Sequence, residues 1–228
     1  MKRCFLEVAV DSLECLKAAE RAGADRIELC AHLDEGGVSP SDELLSEAAA
    51  LANVPIRVMI RPRSGDFIYT IEEFQAMKNE ISRAKKTGIE GVVLGVLLNE
   101  KEIDVERTKI LVDLARPMKS TFHRAFDTLK NPLQAFRDVI ATGADTLLTS
   151  GGAQAAEQGV VMLAKLVLKS QGRISILAGG GVRGTNVAKI VKAAGVRAVH
   201  VGGALRASHP IEEIEERVRF VRRELGRL

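Results

Sequence analysis

The chain has 228 residues, of which 46% are apolar and 28% are charged, and its formal net charge is +3. This length and composition predict one globular domain, residues 1–228, that buries a sizeable core without disulfide staples. Interspersed charges, a single Tyr and no Trp argue against a nucleic-acid partner. Apolar runs of only strand length argue against a membrane span, and the lack of a leader before Cys4 predicts a reducing, cytoplasmic location.

Short β-branched runs alternate eight times with amphipathic segments along the chain. The predicted strands lie at residues 5–10, 26–30, 56–61, 91–97, 119–123, 146–149, 174–178 and 198–201. The predicted helices lie at residues 12–22, 41–52, 71–86, 105–115, 132–141, 156–169, 185–194 and 211–225. Eight β-α units without a linker predict an α/β protein with a single (β/α)8 TIM barrel, and a doubly wound open sheet is the alternative.

The alternation of residues along each strand predicts which side chains point into the barrel. If Val, Ile and Leu face the helices, the residues between them face the interior. This rule places five ionisable side chains inside the barrel: Glu7, Glu28, Arg61, His123 and His200. Charges in such an interior must pair, form hydrogen bonds or change their pKa values.

Two interpretations of this interior cluster stay open. In the first, the cluster is structural, and Arg61 neutralises Glu7 and Glu28. In the second, it is an acid/base site at the carboxyl ends of the strands. Its candidates for proton transfer are Glu7, Glu28 and His123, and its candidates for holding an anionic substrate are Arg61, Arg63 and Arg124. No strand ends in a lysine, which argues against a Schiff-base aldolase.

Glycines stand at the tips of the last three predicted strands. Main-chain N–H groups at such tips suit an anion, and many barrels bind phosphate after their seventh and eighth strands. The candidate anion-binding residues are Ser150, Gly151, Gly180, Gly181, Gly202 and Gly203. Close packing and tight turns also explain glycine here, so this reading stays open as well.

Cys30 and Met59 are the candidate metal ligands. Thiolate and thioether are the ligands that Cu(I) prefers, and the two residues lie on adjacent predicted strands, with His123 as a third candidate. No metal-binding spacing motif accompanies Cys30, and a lone inward cysteine is also typical of a small core residue.

Six blocks along the chain resemble the successive signature blocks of the CutC family. They are GADRIELC at 23–30, EGGVSPS at 35–41, MIRPRSGDF at 59–67, TFHRAFD at 121–127, LTSG at 148–151 and AGGGV at 178–182. The resemblance implies a (β/α)8 barrel and a cytoplasmic role in copper homeostasis, with Cys30 as the first place for a copper ligand. The chain departs from this family's pattern at two places. Ala9 replaces a cysteine that relatives often carry, which weakens a two-thiolate copper site. Gly202 and Gly203 stand where many relatives have serines, which favours anion binding.

Two functions therefore remain as hypotheses. One is a copper homeostasis protein that binds Cu(I) as its metal. The other is a barrel enzyme that performs acid/base chemistry on a small anionic or phosphorylated metabolite. A structural barrel acting through partners is a third reading, and the sequence leaves a homo-oligomer open. The loops at 34–40 and 64–70 are predicted to close over a ligand, since both carry glycine at strand tips.

Overall fold

Eight parallel strands close into a barrel in the computed structural model, which describes residues 3–202 and 210–228. Two further strands form a separate two-stranded sheet. In chain order the strands of the described residues are β1 (Phe5–Val10), β2 (Arg26–Leu29), β3 (Ile56–Met59), β4 (Gly91–Leu94), β5 (Leu97–Asn99), β6 (Glu102–Ile103), β7 (Lys119–Phe122), β8 (Thr146–Thr149), β9 (Ser175–Ala178) and β10 (Ala198–Val201), of which β5 and β6 form the separate sheet. Around the barrel they follow the order β1-β10-β9-β8-β7-β4-β3-β2, so β1 pairs with both β2 and β10. The predicted (β/α)8 barrel is confirmed, and the open-sheet alternative is wrong.

Helices surround this barrel. Those in the described residues are α1 (Leu13–Arg21), α2 (Asp42–Leu51), α3 (Ile71–Lys86), α4 (Val105–Ala115), α5 (Pro132–Ala141), α6 (Val160–Ser170), α7 (Val187–Ala194) and α8 (Ile211–Gly226), with short 3-10 helices at Leu33–Glu35 and Arg124–Thr128. None of these helices combines the length and the apolar run that a bilayer crossing requires.

Local sequence signals fix where several helices begin. Ser12, Ser41 and Thr70 precede α1, α2 and α3, and each side-chain oxygen accepts a backbone N–H from three residues onward. At α3 the Glu73 side chain completes a capping box with Thr70. Pro132 occupies the first position of α5, where its missing N–H costs nothing.

The chain leaves the barrel earlier than predicted after the fourth strand. β4 ends at Leu94, three residues before the predicted end at residue 97, and Leu97 instead begins β5, which pairs antiparallel with β6. The Leu97 N–H donates to the Phe67 carbonyl at 2.9 Å, which draws this segment toward the loop before α3. Helices α6 and α7 also begin later than predicted, at Val160 and Val187.

The strands separate two environments, as their alternating pattern predicts. Outward residues such as Leu6, Ile27 and Val58 are buried in the main core with the helices. A second, smaller apolar cluster consists of Ala9, Cys30, Leu33, Met59 and Val93. Most of the other interior positions carry polar and charged side chains, and the candidate site lies among them.

Candidate active site

A cavity of about 220 Å³ opens at the carboxyl ends of the barrel strands, where barrel enzymes hold their substrates. Its lining residues are Ala9, Glu28, Leu33, Gly36, Met59, Arg61, Phe67, His123, Arg124, Leu148, Gly180, Gly181, His200 and Gly202. The interior position predicted for Glu28, Arg61, His123 and His200 is thus confirmed. Their chemical roles stay predictions.

Two carboxylates and an imidazole meet at the bottom of this cavity. Glu7 lies beneath the lining and is fully buried, with its Oε1 2.8 Å from Nδ1 of His200. Its second oxygen, Oε2, accepts from Nε of Arg26 at 2.6 Å. Glu28 reaches the same imidazole more loosely, since its Oε2 lies 4.0 Å from His200 Nδ1. Glu7 therefore orients the His200 imidazole through a hydrogen bond, and Glu28 interacts with the same ring through electrostatic attraction.

The pKa values of this cluster move in different directions. Burial would raise the pKa of Glu7, but the hydrogen bond from His200 and the charge of Arg26 outweigh it and lower the pKa. Burial also raises the pKa of Glu28, to about 7, and here the attraction of His200 does not compensate. The pKa of His200 is raised because the two carboxylates outweigh its own desolvation. Glu28 thus exchanges its proton more readily near neutral pH than an ordinary carboxylate does.

Arg26 and Arg57 are interior residues that the sequence analysis missed. Arg26 neutralises Glu7, a role that was predicted for Arg61. Arg57 donates to the hydroxyls of Thr121 at 2.6 Å and Thr146 at 3.0 Å, across the barrel. The signal was present, because the alternation that turns Glu28 and Met59 inward also turns these two arginines inward.

His123 is a neutral hydrogen-bond donor on the opposite side of the cavity. It ends β7 and is 3% exposed, and its Nδ1 accepts the Ala125 N–H at 3.3 Å. In a neutral imidazole this leaves the proton on Nε2, which is buried and has no hydrogen-bond partner among the described residues. Burial, with a smaller contribution from Arg61, lowers the pKa of His123 to about 3.

Arg61 is held by main-chain carbonyl groups. Its NH1 donates to Gly37 O at 2.9 Å and its NH2 donates to Gly65 O at 2.8 Å, so both predicted closing loops are tied to this one side chain. The guanidinium carbon lies 4.8 Å from the centroid of the Phe67 ring, which is also 4.8 Å from the His123 ring. The structural interpretation in which Arg61 neutralises Glu7 and Glu28 is therefore wrong.

Arg63 lies outside the cavity lining, contrary to its prediction as an anion ligand. Its Nε donates to Glu73 at 2.6 Å and its NH2 donates to Asp66 at 2.9 Å. It also donates to the Ile68 carbonyl at 2.9 Å. Arg63 therefore holds the loop before α3 in place and is not directed at a ligand.

The predicted anion cradle at the tip of β8 is occupied by a side chain of the protein. The Asp127 carboxylate accepts the N–H groups of Ser150 at 2.9 Å and Gly152 at 3.0 Å, while the Gly151 N–H donates to Thr149 Oγ1 at 2.8 Å. Ser150 and Gly151 are consequently absent from the cavity lining. Asp127 lies far from these residues in the sequence, so no local pattern indicated this contact.

The same carboxylate positions Arg124 at the cavity mouth. Arg124 Nε donates to Asp127 Oδ2 at 2.8 Å, and its side chain is 41% exposed. The guanidinium lies against Gly180, where a β-carbon would come within 3.0 Å of it. Gly202 similarly leaves room for His200, whose Nε2 would lie 2.9 Å from an added β-carbon. Gly180, Gly181 and Gly202 thus line the cavity, whereas Gly203 lies outside the described residues.

Two sets of residues are candidates for a metal ion. Cys30 and Met59 both lie against Gly37, where a β-carbon would be 3.4 Å from the thiol sulfur and 3.7 Å from the methionine methyl group. The thiol is fully buried and burial raises its pKa well above the ordinary value, which disfavours the thiolate that copper binds. The ligand atoms of Glu7, Glu28 and His200 lie within 4.8 Å of one another, but two of the three are carboxylate oxygens, which are hard ligands. The described residues thus fit a Cu(I) site poorly.

Comparisons with known proteins agree with the fold. A family model for the CutC family matches residues 4–205. A family protein CutC of Vibrio vulnificus (strain CMCP6) is 46% identical over 200 residues, which cover 87% of this chain and 80% of that protein. A family protein CutC of Pasteurella multocida (strain Pm70) is 40% identical over 198 residues, with 87% and 81% covered.

Solved structures give the same result. The crystal structure of CutC from Streptococcus agalactiae, whose description refers to copper homeostasis, superposes with a TM-score of 0.81 at 29% identity, covering 86% of this chain and 97% of that one. A thiamine phosphate pyrophosphorylase from Pyrococcus furiosus reaches a TM-score of 0.64 at 16% identity, covering 98% and 96%, which shows a shared fold alone. The sequence matches and the barrel together establish that this chain belongs to the CutC family.

Proposed function

We propose that this protein is an enzyme that performs acid/base chemistry on a small anionic metabolite. The observation that carries the proposal is the convergence of one carboxyl group, two imidazoles and two guanidinium groups on a single cavity at the carboxyl end of the barrel. A purely structural network would pair these groups with one another. Instead Glu28 and His123 each keep a buried polar atom without a partner among the described residues.

The arrangement divides into a part that moves protons and a part that attracts charge. Glu28 and His200 form the proton-transfer pair, with Glu7 as the positioning residue for His200. Arg124 supplies positive charge at the mouth, where the anionic part of the metabolite would enter. Arg61 supplies positive charge deeper in the cavity, although its terminal nitrogens already donate to carbonyl groups.

Ligand binding tests this proposal through thermal stability. The probes are inorganic phosphate, glycerol 3-phosphate and lactate, added to the wild type, Arg124→Gln and Arg83→Gln. A ligand at 100 times its Kd adds about 2.7 kcal/mol of stability, which raises Tm by roughly 5–10 °C in a chain of this size. We expect at least one probe to stabilise the wild type and Arg83→Gln, and to stabilise Arg124→Gln much less.

Arg83 is a suitable control because its guanidinium is on the surface, where it pairs with Asp42 at 2.7 Å. If a probe stabilises all three proteins equally, Arg124 does not bind the anion and its assigned role is wrong.

Copper binding by Cys30 and Met59 is a second candidate function. It is supported by the family resemblance and by the contact of both side chains with Gly37. The raised pKa of the thiol argues against it. Titration with Cu(I) under reducing, anaerobic conditions tests it: binding by the wild type that is lost in Cys30→Ser would support a copper site, and equal behaviour of the two proteins would contradict it.

A further inference from the structure

Three buried atoms of residues that line the cavity have no hydrogen-bond partner among the described residues, and they indicate the chemistry of the substrate. We infer that the substrate is a small carbonyl compound with an anionic group, and that the protein transfers a proton at the carbon atom next to the carbonyl. This inference rests on the proposed function, because it names the reaction of the same site. It depends on three side chains, which are His123, Arg61 and Glu28.

Two of the unused atoms are donors that require an acceptor. The proton of neutral His123 is on Nε2, since Nδ1 accepts the Ala125 N–H. The Nε of Arg61 is also buried and makes no hydrogen bond to a described residue, although the equally unpartnered Tyr69 hydroxyl is close enough to Arg61 for the guanidinium to oppose the rise in its pKa. Phe67 contacts both side chains, so both donors belong to one side of the cavity. An oxygen atom is the group that satisfies them, and a carbonyl oxygen fits because it gains negative charge when a neighbouring proton leaves.

The third unused atom, Oε2 of Glu28, requires a hydrogen atom from the substrate. Glu28 lines the cavity, and no described residue within hydrogen-bonding distance donates to this oxygen. This oxygen lies 4.0 Å from Nδ1 of His200, too far for a hydrogen bond, so it can accept a hydrogen atom from a bound molecule.

The proton transfer balances without any co-reactant. The Glu28 carboxylate takes a proton from the carbon next to the carbonyl, and the electrons of that C–H bond form a C=C bond. The π electrons of the carbonyl move onto its oxygen, where the N–H groups of His123 and Arg61 stabilise the negative charge. Glu28, after exchanging its proton with solvent, returns a proton to the same face of that carbon, so the net result is hydrogen exchange at that centre.

A neutral imidazole suits this role. The low pKa of His123 keeps the ring uncharged at neutral pH, so it can donate a hydrogen bond to an enolate without losing its proton beforehand. A carboxylate base and a neutral imidazole whose pKa values are moved apart by their surroundings are a recurring arrangement for this reaction.

The size and charge of the cavity restrict the substrate further. Its volume of about 220 Å³ is below the range of roughly 300–1,000 Å³ typical of small-molecule pockets, so the cavity suits a small substrate. Arg124 at the mouth provides a place for a carboxylate or phosphate, with Gly180 beside it. Short hydroxy-carbonyl compounds that end in such a group therefore fit.

Exchange of carbon-bound hydrogen with solvent tests the inference directly. Hydroxypyruvate and dihydroxyacetone phosphate are incubated in D₂O with the protein, and loss of the C–H signal beside the carbonyl is followed by proton NMR against a sample without protein. We expect the wild type to accelerate exchange for at least one probe. Glu28→Gln should lower the rate at least 100-fold, and His123→Gln should lower it by a similar factor, as losing an enolate-stabilising donor typically does.

The controls separate chemistry from binding. Glu43→Gln is the matched control because Glu43 is exposed on α2, and its exchange rate should equal that of the wild type. Glycerol 3-phosphate and lactate lack a ketone or aldehyde group, so a probe among them that stabilises the wild type should stabilise Glu28→Gln equally. This also shows that the variant is folded.

The two proposals fail in different ways. If no anion stabilises the wild type and no probe exchanges, the proposed function is wrong. If anions bind but neither carbonyl compound exchanges, the proposed function stands and this inference is overturned. If exchange is as fast in Glu28→Gln as in the wild type, the assignment of the base is overturned.

Discussion

His123 couples the stability of the protein to pH, because it is buried in its neutral form. Its pKa is about 3 in the folded chain and 6.5 for the ordinary residue. Between these values the unfolded chain binds a proton that the folded chain does not bind. The contribution of His123 to stability is therefore complete above pH 6.5 and is lost as the pH falls through that window.

We expect this loss to be measurable by urea denaturation. Between pH 6.5 and about pH 5 it amounts to roughly 2 kcal/mol for one histidine, at about 1.4 kcal/mol for each pH unit. In His123→Gln the free energy of unfolding should decrease less over the same range, since glutamine does not titrate. Parallel pH profiles for the two proteins would mean that the pKa of His123 is not lowered by folding.

At the residue scale the sequence predicted position better than partner. Alternation along β1, β2 and β10 correctly placed Glu7, Glu28 and His200 inside the barrel, because which way a strand residue faces is a local property. Partners depend on how distant strands are arranged. The sequence therefore could not show that Arg26, and not Arg61, neutralises Glu7.

At the scale of elements the same division holds. The helices and barrel strands were found from period and from caps, both of which are local. The strand tips were predicted less well. The Asp127 carboxylate accepts the N–H groups that follow β8, and Arg63 pairs with Glu73 instead of lining the cavity. Of the strand-tip serine and glycines predicted to bind an anion, Gly180, Gly181 and Gly202 line the cavity, Ser150 and Gly151 do not, and Gly203 lies outside the described residues.

The pairing of β4 with β7 depends on a residue without a side chain. Gly91 is paired with Lys119, and a β-carbon at Gly91 would lie 2.3 Å from the Lys119 carbonyl oxygen. That oxygen belongs to the backbone of a barrel strand, so it cannot move without disturbing the strand pairing. We expect Gly91→Ala to lower the free energy of unfolding by about 3 kcal/mol or more, measured by urea denaturation.

Gly226→Ala provides the matched control for this substitution. A β-carbon at Gly226, the last residue of α8, meets no atom within 4 Å. Its free energy of unfolding should stay within about 0.5 kcal/mol of the wild-type value or rise slightly. A tolerated alanine at Gly91 would show that β4 and β7 are not as closely paired as described.

At the scale of the whole molecule, one arginine of the last helix holds the segments that precede β1 and β2. Arg222 in α8 donates to the Gly23 carbonyl at 2.9 Å and to the Cys4 carbonyl at 3.1 Å, and it pairs with Asp25. Asp25 in turn accepts the Leu6 N–H at 2.8 Å. The end of the chain is therefore bonded to the segments that begin β1 and β2.

Barrel closure makes these contacts important for every strand. A closed barrel has no edge strands, so separating β1 from its neighbour β2 would expose unpaired backbone groups on both. We expect Arg222→Met to lower the free energy of unfolding by about 2–3 kcal/mol, since part-buried hydrogen bonds from a charged donor are lost. Arg219→Met should cost no more than about 0.5 kcal/mol, because Arg219 is 62% exposed and, among the described residues, pairs with Glu215 four residues earlier alone. Amide hydrogen exchange should show faster exchange in all barrel strands of Arg222→Met together, because the strands hold one another in a ring. Faster exchange confined to β1 and β2 would show that these two strands open independently of the rest of the barrel. Equal losses of stability in the two variants would show that the contacts of Arg222 do not stabilise the barrel.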